Sequence, residues 1–190
     1  MLRRQARPLK REEILTPETR QLIEWMKETM YDAPGVGLAA PQIGLPLQLA
    51  VIEDCAEYLK EVPAELLASR ERQPVPFLVL INPTIVSRSE EQVEFFEGCL
   101  SLAGFSALVK RSRAVTVECL DGEAKPRHIE AQGWFARILQ HEIDHLNGAL
   151  YIDRMESRSF MSVENLNRYW KDLPIPEVRE RLASELISES

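Results

Sequence analysis

Gln140-His141-Glu142-Ile143-Asp144-His145-Leu146-Asn147-Gly148 is the stretch on which the reading of the chain turns. It holds two of the three histidines in the protein, spaced i and i+4. On a helix such residues share a face, roughly 6 Å apart along the axis, so both imidazoles can reach one metal ion. Glu142 follows the first histidine, where a carboxylate can approach a metal-bound water. This is the His-Glu-x-x-His arrangement of metal-dependent hydrolases. The helix supplies two ligands, and an open hydrolytic site needs three protein ligands plus water. The identity of the third ligand is the question put to the rest of the chain.

A length of 190 residues suits a single domain over 1–190 with a substantial core. The hydrophobic fraction of 45% and charged fraction of 28% are those of an ordinary globular protein. A formal net charge of −7 argues against DNA or broad nucleic-acid binding, which wants a basic surface. Residues 1–11 are the exception, with Arg3, Arg4, Arg7, Lys10 and Arg11 and no acid, and read as a solvated basic arm. No apolar run approaches the ~18 residues a membrane span needs. Cys55, Cys99 and Cys119 are an odd, small set that suits reduced thiols in a cytoplasmic setting. Cys119 sits in an alternating strand pattern and reads as core.

In chain order, Thr16-Pro17-Glu18 opens a helix, with Thr16 as cap and Pro17 at the first helical position. Leu22, Met26 and Met30 give it an apolar face, and Pro34-Gly35 ends it. Gly35 to Gly44 is rich in glycine and alanine, which lets backbone pass close to something. Gln42 is its one polar side chain, and its amide can donate to a developing oxyanion. Leu47 to Ile52 predicts a strand, and residues 54–76 a surface excursion with a helical turn from Pro63 to Arg70. Phe77 to Ile81 predicts a strand stopped by Asn82-Pro83, followed by a hairpin of 84–87 with 92–96. Further strands are expected over 107–110, 114–120 and 126–131, with a turn at Asp121-Gly122. His128 reads as a strand residue rather than a ligand. Gly133-Trp134 opens the histidine helix, whose Phe135, Ile138, Leu139 and Leu146 mark it as largely buried. Residues 162–170 and then 176–187 read as helical and peripheral, with 171–190 as a peripheral tail.

Two third ligands compete. Cys99, in Glu97-Gly98-Cys99-Leu100-Ser101, follows a glycine at a strand end, and a thiolate suits zinc or ferrous iron. Glu164 stands downstream of His145 at a spacing that metallopeptidases use. A third-histidine template fails, because its ligand position is Tyr151.

Taken together, Gly35 to Gly44, Glu97 to Ser101 and Gln140 to Gly148 closely resemble the signature set of the peptide deformylases, in the family's order. Gly133 to Arg137 and Ala103-Gly104-Phe105 resemble the branch shared by some bacteria, mitochondria and plant organelles. The resemblance implies an α+β fold, antiparallel strands around a buried metal-binding helix. It implies a hydrolase that removes the formyl group from N-formylmethionine of nascent peptides. Cys99, His141 and His145 would hold one divalent ion, Fe²⁺ in the cell, with zinc, nickel or cobalt able to replace it. Glu142 would be general base and acid, and Gln42 and the Leu100 N–H would bind the oxyanion. Gly37 and Gly98 would line the substrate backbone, with Val36, Phe95 and Trp134 around the methionine side chain. A metallopeptidase using Glu164 is the competing reading. The implied setting is bacterial cytoplasm, with organellar origin and transient ribosome association left open. The segment after Trp170 has no clear family counterpart.

Overall fold

The computed structural model describes residues 1–184. In chain order the elements are α1 (Arg11–Ile14), α2 (Pro17–Asp32), β1 (Gly37–Ala39), β2 (Leu49–Asp54), α3 (Ala56–Leu59), α4 (Ala64–Ser69), β3 (Val75–Arg88), β4 (Gln92–Gly98), β5 (Phe105–Ser112), β6 (Ala114–Leu120), β7 (Pro126–Gln132), α5 (Gly133–Leu146), β8 (Met161–Ser162), α6 (Val163–Asn165) and α7 (Ile175–Ser184). All the strand pairs with assigned register are antiparallel, and the class is α+β as expected. The chain divides into two compact units. The first comprises Met1–Gln92 and Ser112–Leu150, the second Val93–Arg111 and the residues from Tyr151 onward.

In the first unit a five-stranded sheet runs in the order β1-β2-β3-β6-β7. Strand residues alternate faces, and β2 shows the consequence. Ala50 and Ile52 join Leu80, Val115 and Val117 against Ile138, Leu139, Ile143 and Leu146 of α5. Leu49 and Val51 join Ile81 against Ile23, Met26 and Met30 of α2. The sheet is covered on both faces, which is why β2 reads as an unbroken apolar run. The Thr19 N–H donates to Thr16 Oγ1 at 3.2 Å, so α2 starts at the expected cap.

Two sequence expectations fail here. Asn82-Pro83 does not stop the strand, and no 84–87/92–96 hairpin forms. Instead β3 runs through to Arg88 and pairs with β6, with a register shift between Ile81 and Thr84. Asn82 takes φ +52°. Its amide brackets Leu9, accepting from the N–H at 2.9 Å and donating to the carbonyl at 2.8 Å. The irregularity absorbs the proline's missing donor, so pairing resumes beyond it. The N-terminal arm is not simply solvated either. Its cationic side chains are exposed, but Ala6 and Leu9 are buried. The Ala6 N–H donates to the Leu146 carbonyl at 2.8 Å, and Gln48 N–H to the Arg7 carbonyl at 2.8 Å. The surface excursion of 54–76 forms as expected, with a helical turn over Ala64–Ser69, and is anchored by a bidentate pair of Arg72 with Asp54, which is 0% exposed.

The second unit contains the sheet β4-β5-β8. Its strand β5 also serves two clusters. Ala107 and Val109 face Tyr151, Leu102 and Ile152, and Leu108 faces Val178 and Leu182 of α7. The expected peripheral tail is therefore corrected as far as Ser184. Val178 is fully buried, and Arg179 forms ion pairs with Glu94 and Glu156. The rest of that expectation, residues 185–190, lies outside the described residues.

Candidate active site

Helix α5 is held at both ends by tertiary bonds to groups that a helix leaves unsatisfied. At its start the Trp134 N–H donates to the Arg70 carbonyl at 2.9 Å, and at its end Leu146 accepts from Ala6. Gly133 enters with φ +57°, and a Cβ there would meet Glu71 Cβ at 2.5 Å and the Arg70 carbonyl oxygen at 2.7 Å. Midway, the buried Gln140 amide accepts from Ser112 N–H at 3.2 Å and donates to the Ser112 and Ala136 carbonyls. Gln140 pins the helix one residue before His141, a role the linear motif does not reveal. Its only signal is a polar side chain in the apolar run of an amphipathic helix.

The helix sets the His141 and His145 rings edge to face, centroids 5.0 Å apart. His145 is 1% exposed and Glu142 4%. Cys99 follows β4 in extended conformation, at the cap of a short helical turn over Leu100–Leu102. The ligand-capable atoms of Cys99, His141 and His145 all lie within 4.8 Å of one another, the only such trio of acidic, histidine and cysteine side chains among the described residues. A thiolate and two imidazoles at that separation fit a zinc- or iron-like divalent ion. Glu164 is exposed on α6 and is not in this trio. His128 is also outside it, exposed between Glu118 and Glu130.

The loop that carries Cys99 is anchored by a residue pair the sequence reading passed over. Arg111 donates through Nε and Nη2 to the two carboxylate oxygens of Glu97, at 2.6 and 2.9 Å, with the side chains 3% and 4% exposed. Ser106 Oγ donates to the Glu97 carbonyl at 2.8 Å. The signal was an arginine on the inward side of a strand. Removing one partner of a buried pair strands the other charge, so Arg111→Ala should lower unfolding stability by about 3–5 kcal/mol. Chemical denaturation checks this, and a loss below about 1 kcal/mol would show that Glu97 finds other compensation. Tyr151 packs in the same cluster as Cys99. Burial first, then the Cys99 and Glu97 charges, pushes its phenol up to about 12. Burial also pushes the Cys119 thiol up to about 11, as suits a core residue.

Strand β1 and the turn after it carry Gly37 and Gln42. The Ala39 N–H donates to Gln42 Oε1 at 2.8 Å, which turns the amide's donor end the other way. Leu100 opens its turn and is exposed. Val36 and Trp134 both abut the α5 cluster, and Phe95 is nearly buried on β4. The Trp134 ring also carries the Arg70, Arg72 and Arg137 guanidiniums at 4.7, 5.5 and 5.9 Å. Burial first, then these neighbouring charges, draws Arg70 down to about 10. A Cβ at Gly98 would touch only the Phe105 carbonyl oxygen, at 3.5 Å, so packing does not demand glycine there.

A family model described as polypeptide deformylase matches residues 1–160. Peptide deformylase 1A, chloroplastic, of Solanum lycopersicum is 48% identical over 164 residues, 86% of this chain and 57% of that protein. Peptide deformylase 1A, chloroplastic/mitochondrial, of Arabidopsis thaliana is 45% identical over 177 residues, 93% of this chain and 64% of that protein. The chain thus spans less than two thirds of the length of these two plant relatives. Among solved structures, the Met-Ala-Ser-bound class I type b peptide deformylase of Acinetobacter baumannii superposes with a TM-score of 0.71 at 31% identity, covering 81% of this chain and 91% of that one.

Proposed function

The chain belongs to the polypeptide deformylase family, and from that premise we propose that it hydrolyses the formyl amide of N-formylmethionine on newly made polypeptides, releasing formate. The observation that carries the reading is the convergence of Cys99, His141 and His145 to within 4.8 Å, with Glu142 beside the first histidine. Those three side chains would hold one divalent ion, Fe²⁺ in the cell and replaceable by zinc, nickel or cobalt. Bound there, the ion supplies Lewis acidity, polarising the formyl oxygen and readying water for attack near neutral pH.

The remaining work falls to the chain's own groups. Glu142 takes the proton of the attacking water as the new carbon–oxygen bond forms. The Gln42 amide and the Leu100 N–H donate to the oxyanion, each contributing about 3 kcal/mol to the transition state. Glu142 then delivers its proton to the nitrogen as the carbon–nitrogen bond breaks, leaving formate and a free amino terminus. Gly37 and Gly98 line the substrate backbone with their own main chain, and Val36, Phe95 and Trp134 form the methionine side-chain pocket. The partners are nascent formyl-methionyl peptides, met in a bacterial cytoplasm or an organelle. No helix among the described residues is long and apolar enough to cross a membrane.

The test is formate release from formyl-Met-Ala-Ser by protein purified without oxygen. Release well above that of a Glu142→Ala preparation supports the reading, and release no greater than that background refutes it.

A further inference from the structure

Gly37 makes a contact that substrate lining does not explain. It lies on β1, paired with Ile52 of β2, and is buried. A Cβ built at Gly37 would overlap Glu142 Oε1 outright, and would stand 2.6 Å from its Cδ and 2.9 Å from its Cγ. Real Cβ atoms essentially never come this close, so the Glu142 carboxylate occupies the space a side chain would take. By contrast, Gly98 meets only ordinary contact. The same three-residue strand fixes a second group, since the Ala39 N–H orients the Gln42 amide.

We propose that Gly37 is a positioning residue, whose missing side chain forms the slot that seats the Glu142 carboxylate. The inference rests on the deformylase reading and extends it. β1 is then an aligning device: its glycine holds the proton-transferring carboxylate and its Ala39 N–H turns the oxyanion donor. The atoms a new methyl would strike are the far end of a flexible side chain. Substitution therefore displaces the carboxylate and leaves the strand in place.

In Gly37→Ala, kcat for formyl-Met-Ala-Ser should fall about 10²-fold, the cost of displacing a reacting group by about 1 Å. KM and metal content should stay near those of the parent. Lost backbone lining alone would instead raise KM with kcat preserved, and that result overturns the proposal. A crystal structure of the variant gives a readout independent of activity. It should show Glu142 swung away with β1 unmoved, and an unmoved carboxylate beside a displaced β1 refutes the slot. Glu142→Asp, which withdraws the carboxylate by one methylene, should combine with Gly37→Ala less than multiplicatively, whereas independent losses would multiply. If Gly37→Ala fails to fold, the Gly37→Ala/Glu142→Ala double variant should fold, because the three atoms nearest the new methyl, Glu142 Oε1, Cδ and Cγ, are then gone. A double variant that also fails to fold overturns the proposal. If the parent released no formate, the function would fall while the crystallographic result still decided the slot.

Discussion

The Glu142→Ala protein should keep its metal and its fold and lose nearly all formate release. Positioned proton transfer contributes about 10²–10⁴-fold, and here one carboxylate is assigned both transfers, so a fall of at least about 10³-fold in kcat is expected. The fold should survive because Glu142 is no part of the apolar cluster that holds α5 to its sheet. That cluster rests on Ile138, Leu139, Ile143 and Leu146. Metal should be retained because the converging donors are Cys99, His141 and His145. Steady-state kinetics with metal quantified by mass spectrometry on one preparation checks both halves. A fall smaller than tenfold with full metal content would remove Glu142 from its assigned role.

The second large effect is expected from Cys99→Ala. Two imidazoles alone do not make the three-ligand site that open hydrolytic metals use. The loss should exceed the roughly 10–100-fold that changes to supporting groups around ligands cost in affinity. Bound metal should fall well below one ion per chain after dialysis, and formate release with it. Glu164→Ala, altering an exposed side chain on α6, should change neither. The opposite pattern, with Cys99→Ala loaded and Glu164→Ala empty, would replace the deformylase reading with the metallopeptidase one.

What could be read in advance was what depends on local pattern. Helix α2 announced itself through Thr16, Pro17 and a periodic apolar face, and α5 through two histidines on one helical face. The chemistry of the candidate site was legible because its residues sit in short motifs. What was hidden depends on partners distant in sequence. Asn82-Pro83 resembles a strand stop until the Asn82 amide is seen to bracket Leu9. The arginines of residues 1–11 drew the eye from Ala6 and Leu9, the two residues that dock the arm. Glu97 and Arg111 are unremarkable until β4 and β5 fold together and bury both charges. The Gly37 slot is of the same kind, since a glycine's function here is set by a side chain from another element.

The bond from Ala6 N–H to the Leu146 carbonyl also constrains the order in which the first unit can fold. It joins the start of the first unit to the last turn of the helix bearing both histidines. Contacts of such long sequence separation raise contact order and slow folding, because the chain must close a large loop before they form. On a ribosome, the arm emerges before α5 and waits for its partner until that helix has been synthesised. The docked arm is therefore a late-folding contact, and the helix bearing both histidines is tied down at its end only after synthesis has passed Leu146.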